Sequence, residues 1–187
     1  MEKAEEFQSM TPVGQSKEEI LMWLMKEYGR DLKRLAFTYV KQEQMAEDIV
    51  QDVFVKCYKN LNSFRQDSSY KTWLYRITVN RCKDVIKSWN FKNLIISNLV
   101  GQPIRASKEK SPEEKLLTFE ENDYLSNLVI TLPIKLREVI IFYYYEEMKI
   151  DQISELLGIN QNTVKTRLLR GRQQLKKKLE RGDKRGR

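Results

Sequence analysis

Residues 150–168 read IDQISELLGINQNTVKTRL, and this stretch decides the fold. A short apolar-periodic segment stops at Gly158, and a second starts within three residues, which is the register of a helix-turn-helix. Ile153, Leu157, Ile159, Val164 and Leu168 supply a small core between the two helices. Ser154 is small where they approach, and Gly158 can take the positive φ that such a turn demands.

The second helix is expected to run over about 161–180. At about 100° per residue, Val164, Leu168, Gly171, Leu175 and Leu179 fall on one inward arc. Asn162, Thr166, Leu169, Arg170, Gln173 and Lys177 then occupy the opposite face, with Lys165 on its flank. Amides, a hydroxyl and arginine are the groups that pair with base edges and phosphates in a major groove, so this is a candidate recognition helix. Gly171 is the one misfit, costing about 1 kcal/mol relative to Ala unless close helix packing needs it.

Charge agrees with a nucleic-acid partner. The chain of 187 residues carries 34 Lys or Arg against 26 Asp or Glu, a net charge of +8. Residues 161–187 hold eleven of the basic residues and only Glu180 and Asp183 as acids, while residues 1–19 hold five Glu and two Lys. With 41% hydrophobic and 32% charged residues, 7 Gly and 4 Pro, the composition is that of a folded, helix-rich protein. No run is long and apolar enough to span a bilayer, and the acidic start does not suit a signal peptide, so a cytoplasmic protein is expected.

The same inventory removes much of enzyme chemistry. There is no histidine, and Cys57 and Cys82 are far apart with no CxxC, which excludes zinc fingers, HExxH sites and Ser-His or Cys-His nucleophiles. No catalytic residue, metal site or cofactor is expected. Both thiols read as small buried side chains on helices.

Outward from the motif, helical periodicity dominates and no strict strand alternation occurs. The fold class is all-α: two small helical domains joined by a flexible linker, the C-terminal one containing the helix-turn-helix. Residues 1–15, with Thr11, Pro12 and Gly14, read as a mobile leader. Residues 16–92 form the first domain. Ser16 and Glu19 make a capping box there, Gly29 breaks or bends the first helix, and a second segment runs from Leu32 to Val40. A third helix spans Gln44 to Leu61, and a fourth runs from about Tyr70 to Trp89. Residues 93–112 are a linker with Gly101 and Pro103, and 113–187 form the second domain, with helices at about 113–130, 133–146 and 150–157 before the recognition helix. The apolar start of the linker, Leu94, Ile95, Ile96, Leu99 and Val100, either packs on a neighbour or enters a partner's groove. Extended at about 3.3 Å per residue, the stretch from Asn93 to Lys115 would reach roughly 75 Å.

Two faces of the first domain carry candidate chemistry. On the helix from Tyr70, Arg76, Asn80, Lys83 and Lys87 share a stripe bordered by Trp73, and the preceding polar loop holds Phe64 and Arg65. Cations that track phosphates beside rings that stack on bases suit single-stranded DNA, although Trp73 in a core and cations in water explain the pattern equally well. Arg81 falls in the apolar arc and is expected to meet a carboxylate rather than DNA. On the Gln44–Leu61 helix, Glu47, Asp48, Gln51 and Asp52 form an acidic face, open either to a protein partner or to local pairing with Lys56 and Lys59.

Four motifs in order, Ala46–Phe54 (AEDIVQDVF), Thr72–Asn80 (TWLYRITVN), Leu132-Pro133 with Arg137-Glu138-Val139, and Thr163–Leu168 (TVKTRL) with Arg170-Gly171-Arg172, resemble the extracytoplasmic-function (ECF) family of bacterial RNA polymerase sigma factors. The resemblance covers roughly 20–90 and 113–180. It implies a factor with sigma region 2 in the first domain, which binds core polymerase and opens the minus-10 element, and sigma region 4 in the second, which reads the minus-35 element. Glu47, Asp48, Gln51 and Asp52 match the part that docks on the β′ subunit of the core. Phe64, Arg65, Trp73, Arg76, Asn80 and Lys83 match the minus-10 element, and Asn162, Lys165, Thr166, Leu169, Arg170 and Gln173 the minus-35 element. The implied partners are the polymerase core with its β and β′ subunits, promoter DNA and an anti-sigma factor. Melting would need no motor, and no GxxxxGK loop is present. Ser154, Gln161-Asn162 and Gly171 depart from commoner family residues, which bears on promoter preference. A free-standing helix-turn-helix regulator would instead bind its duplex alone. A nuclease would need converging acids at metal-ligand spacing, which are not evident.

Overall fold

The computed structural model describes the backbone of residues 16–64, 69–100 and 123–183. Seven helices are formed among these residues: α1 (Lys17–Val40), α2 (Glu43–Asn60), α3 (Tyr70–Val100), α4 (Asp123–Ile130), α5 (Ile134–Tyr144), α6 (Ile150–Leu157) and α7 (Gln161–Asp183). A 3-10 turn, Leu61–Ser63, follows α2, and no strand occurs among the described residues. The chain divides into two units, residues 1–85 and 86–187, with the division inside α3.

In the first unit, the expected capping box starts α1. Ser16 Oγ accepts from Glu19 N–H at 3.2 Å, and Glu19 Oε2 accepts from Ser16 N–H at 2.8 Å. Of the break or bend expected at Gly29, a break does not occur: α1 is continuous to Val40. Buried Tyr28 and Leu32 on either side hold that turn in place, which offsets the roughly 1 kcal/mol that glycine costs a helix. Lys41 then takes a left-handed conformation (φ 57°) and turns the chain back into α2.

Helices α1 and α2 pair at both ends. Lys33 Nζ contacts Glu43 at 3.0 Å and also Glu47, and at the other end Tyr58 donates to Glu18 while Lys17 lies over the Tyr58 ring. Between them lie Leu24, Leu32, Ala36, Ala46, Ile49, Val53 and Cys57, each fully buried or nearly so. Helix α3 adds Leu74, Tyr75, Thr78, Val79 and Cys82. Thr78 is tolerated there because its hydroxyl donates to the carbonyl of Leu74 at 2.8 Å. The helix continues to Val100, so the first residues of the span read as linker are helical.

In the second unit, α5 is the buried centre, with Leu136, Val139, Ile140, Ile141 and Phe142 in the core. Its two buried charged residues are satisfied. The Arg137 guanidinium donates to the Leu132 carbonyl from Nη2 at 2.7 Å, and Glu138 accepts from Arg167 Nη1 on α7 at 3.0 Å. Helices α6 and α7 pack on α5. The expected α4 is described only from Asp123; the leader, residues 65–68 and the span 101–122 lie outside the described residues.

Candidate functional site

The turn between α6 and α7 closes through backbone and hydroxyl. Gly158 takes φ 65°, its N–H bonds to the Ser154 carbonyl, and Ser154 Oγ donates to the Ile159 carbonyl. Ser154 is therefore a staple for the turn as well as a small residue at a helix approach. Asn160 caps α7: its Oδ1 accepts from the Thr163 N–H at 2.7 Å and from the Thr163 hydroxyl at 2.9 Å. The cap carries a local sequence signal, Asn followed three residues later by Thr.

Ile153, Val164 and Leu168 are buried as expected, whereas Leu157 and Ile159 are half-buried and Leu156 supplies the missing core contact. Gly171 is buried against α5. A Cβ there would stand 2.9 Å from Ile140 Cγ1 and 3.1 Å from Ile140 Cδ1, so close packing accounts for the apparent misfit. Beyond this contact burial fades: Leu175 is half-buried, and Leu179, expected inward, is 36% exposed.

With that anchoring, Asn162, Lys165, Thr166, Leu169, Arg170 and Gln173 are all exposed along one side of α7. Leu169 is 53% exposed, an apolar side chain with no core to serve, suited to contact with a thymine methyl or sugar edge. The Thr166 hydroxyl donates to the Asn162 carbonyl at 2.8 Å, leaving its oxygen able to accept. Arg167, in the middle of the motif, turns the other way and bonds Glu138, so it is a structural arginine followed by the exposed Arg170 and Arg172.

On α2, Asp48, Gln51 and Asp52 are exposed, and Glu47 is half-buried beneath Lys33. Asp52 accepts two bonds from Arg81 on α3. Arg81 thus meets a carboxylate as expected, although at the surface rather than in the core.

The rings near the start of α3 pack on one another. Phe64 stacks on Tyr70 with centroids 4.6 Å apart and lies 4.7 Å from Trp73, while Trp23 of α1 meets Tyr70 edge-on at 6.1 Å. Phe64 and Trp73 are half-buried in this cluster. Tyr70 could have been suspected from its i,i+3 spacing to Trp73, but Trp23 lies too far away in sequence for any local signal. Asn80 is exposed and Arg76 and Lys83 are half-buried along the adjoining stripe, while Arg65 lies outside the described residues. Among the described residues no group of three or more potential metal ligands occurs.

Comparison with known proteins gives two family matches in order: Sigma-70 region 2 over residues 24–90, and Sigma-70, region 4, over residues 122–175. The chain is similar to the ECF RNA polymerase sigma factor SigW of Bacillus subtilis, 30% identical over 158 residues that cover 81% of this chain and 84% of that one. Its fold resembles the sigma factor RpoE from Bartonella quintana, solved with the anti-sigma factor NepR (TM-score 0.62, 22% identity, 88% and 96% of the two chains). It also resembles CnrH, solved with the cytosolic domain of CnrY (TM-score 0.60, 21% identity, 95% and 94%).

Proposed function

Because the chain belongs to the ECF family of sigma-70 RNA polymerase sigma factors, a transcription initiation factor that directs core polymerase to particular promoters, we propose a division of labour among its exposed faces. Asp48, Gln51 and Asp52, with Glu47 behind them, dock on a basic surface of the polymerase core. Asn80, Arg76 and Lys83, beside the Phe64 and Trp73 rings, border the opened minus-10 strand. Asn162, Lys165, Thr166, Leu169, Arg170 and Gln173 read the minus-35 duplex.

The observation that carries this reading is the polar face of α7, exposed throughout while Gly171 and Leu168 seat the opposite side on its own core. Bases are melted without a motor: protein contacts stabilise strands that thermal opening exposes. The factor is non-enzymatic and works in the cytoplasm beside the polymerase; among the described residues no helix is long and apolar enough to cross a membrane. An anti-sigma factor holds it inactive, a partner class supported by NepR on the RpoE that it resembles.

Run-off transcription with purified bacterial core polymerase on a genomic template library tests the reading. Discrete start sites that require this protein are expected. Absence of start-site selection, or tight sequence-specific duplex binding without core, would overturn it.

A further inference from the structure

The rings beside the start of α3 form a line of support that runs from the core of the first unit toward its surface. Tyr28, 8% exposed, is the buried end. Trp23 meets it edge-on with centroids 5.9 Å apart, and meets Tyr70 on the far side of that contact at 6.1 Å. Tyr70 carries Phe64 stacked at 4.6 Å, and Phe64 lies 4.7 Å from Trp73. Trp23, Phe64, Tyr70 and Trp73 are all half-buried. The line draws on α1, the exit of the 3-10 turn and the first turn of α3.

The backbone at both outer rings is already held. Phe64 N–H donates to the carbonyl of buried Leu61 at 3.2 Å, and Ser69 Oγ accepts from the Thr72 N–H at 3.2 Å where α3 begins. Such bonds fix where a Cα stands but leave the side-chain torsions free, so the tilt of each ring is set by the ring next to it. Phe64 has Tyr70 and Trp73 for this purpose, and Tyr70 has Trp23 behind it. Trp23 is therefore the link between the surface rings and buried Tyr28. The match to Sigma-70 region 2 begins at residue 24, so this link lies outside it and is a contribution of this chain.

A base stacks best on a ring already held at the right tilt, because a ring that swings freely gives up rotamer freedom when it captures the base. We infer that Trp23 is a positioning residue for promoter opening: acting through Tyr70, it braces Phe64 and Trp73 at the tilt in which they receive unstacked bases, without touching DNA itself. The inference rests on the minus-10 reading above and adds to it a residue of α1.

The test is opening of a promoter from the run-off selection by holoenzyme, assembled from core polymerase and the full chain, read as permanganate reactivity of thymines in the minus-10 element. Trp23→Leu keeps an apolar side chain but removes the ring, and is expected to lower the opening equilibrium about three- to tenfold, the worth of one edge-on aromatic contact. Assembly with core, and binding of a duplex that bears only the minus-35 element, should not change. Trp23→Phe, which restores an edge, should recover most of the opening. In a Phe64→Ala background, which itself opens poorly, Trp23→Leu should add no further loss, because the ring it braces is gone. Tyr70→Leu interrupts the same line one ring further out and should give a similar loss that does not add to that of Trp23→Leu, so the inference is testable even where one variant folds badly. A Trp23 that only fills the core would cost the same in both Phe64 backgrounds and weaken core assembly in parallel; either result, or undiminished opening by Trp23→Leu, would overturn the brace. Full opening by Phe64→Ala alone would remove that ring from the minus-10 face and the brace with it. Wild-type holoenzyme that opens no promoter would instead refute the sigma-factor reading itself, so the failures are distinct.

Discussion

Arg81 donates from both Nε and Nη2 to one oxygen of Asp52, Oδ2, at 2.8 and 2.6 Å. Asp52 belongs to the acidic face of α2 proposed to dock on polymerase, and Arg81 follows Asn80 on the helix proposed to border melted DNA. A single surface pair therefore ties the two working helices of the first unit. With both side chains about half in water, the pair contributes no more than about 1 kcal/mol to stability. Asp48→Arg with Asp52→Arg should consequently leave the helical circular dichroism spectrum and the urea midpoint almost unchanged while reducing core association by two orders of magnitude or more, read by co-migration with core in gel filtration. Normal holoenzyme formation by this variant would remove the acidic face from the docking site.

Two arginines three residues apart in the TVKTRL-LRGR stretch should behave in opposite ways. Arg167 pairs with Glu138, whose side chain is only 3% exposed, so Arg167→Ala withdraws a positive charge from a buried carboxylate and should cost about 3 kcal/mol of stability. Arg170 is exposed, so Arg170→Ala should leave stability unchanged and weaken promoter binding by roughly 1 to 3 kcal/mol, only on templates with an intact minus-35 element. Urea unfolding and holoenzyme binding measured on the same two variants separate the roles, and equal loss on a scrambled element would reduce Arg170 to a phosphate contact.

This contrast marks the limit of what the sequence could tell. Helical phase placed Arg170 correctly because an exposed face is defined by the apolar face opposite. It could not place Arg167, whose partner Glu138 is 29 residues away on another helix. The aromatic cluster divides in the same manner: Trp73 and Phe64 were visible locally, whereas Trp23 joins them only through tertiary packing. The capping box at Ser16 and the positive φ of Gly158 were legible because each is fixed within five residues. Gly29 misled for the converse reason, since propensity favoured a break and packing on either side removed it.

Gly171 gives a prediction of stability rather than function. Alanine would gain about 1 kcal/mol of helix propensity, but its Cβ would press 2.9 Å from Ile140 Cγ1, and overpacking of that kind costs typically 1 to 3 kcal/mol. Gly171→Ala should therefore destabilise the chain by about 1 kcal/mol in urea. Combined with Ile140→Ala, which clears the space, the two changes should couple favourably in a double-mutant cycle. A stabilising single substitution would mean that α5 and α7 separate easily.

The buried thiols fix the behaviour at alkaline pH. Cys57 and Cys82 are both inaccessible, and burial raises their ionisation to about 11 and about 12, against an ordinary thiol near 8.5. The thiolate is the reactive form, so at pH 8 neither should react with a thiol reagent in the native chain, and both should react once it is unfolded in guanidinium. The sign of the linkage follows from the same shift. Each folded thiol holds its proton longer than its unfolded counterpart, so the contribution to stability is complete below about pH 8.5 and is lost progressively as pH rises toward 11 and 12. Urea unfolding should show stability falling by about 1 to 3 kcal/mol between pH 8 and 9.5, and Cys57→Ala with Cys82→Ala should flatten that decline. Burial of Tyr28 and the bonds of Lys33 to Glu47 and Glu43 raise those groups too, and they act in the same direction at higher pH. Stability that is level to pH 10, or rapid native labelling of either cysteine, would show that the α1–α3 core opens far more readily than its packing indicates.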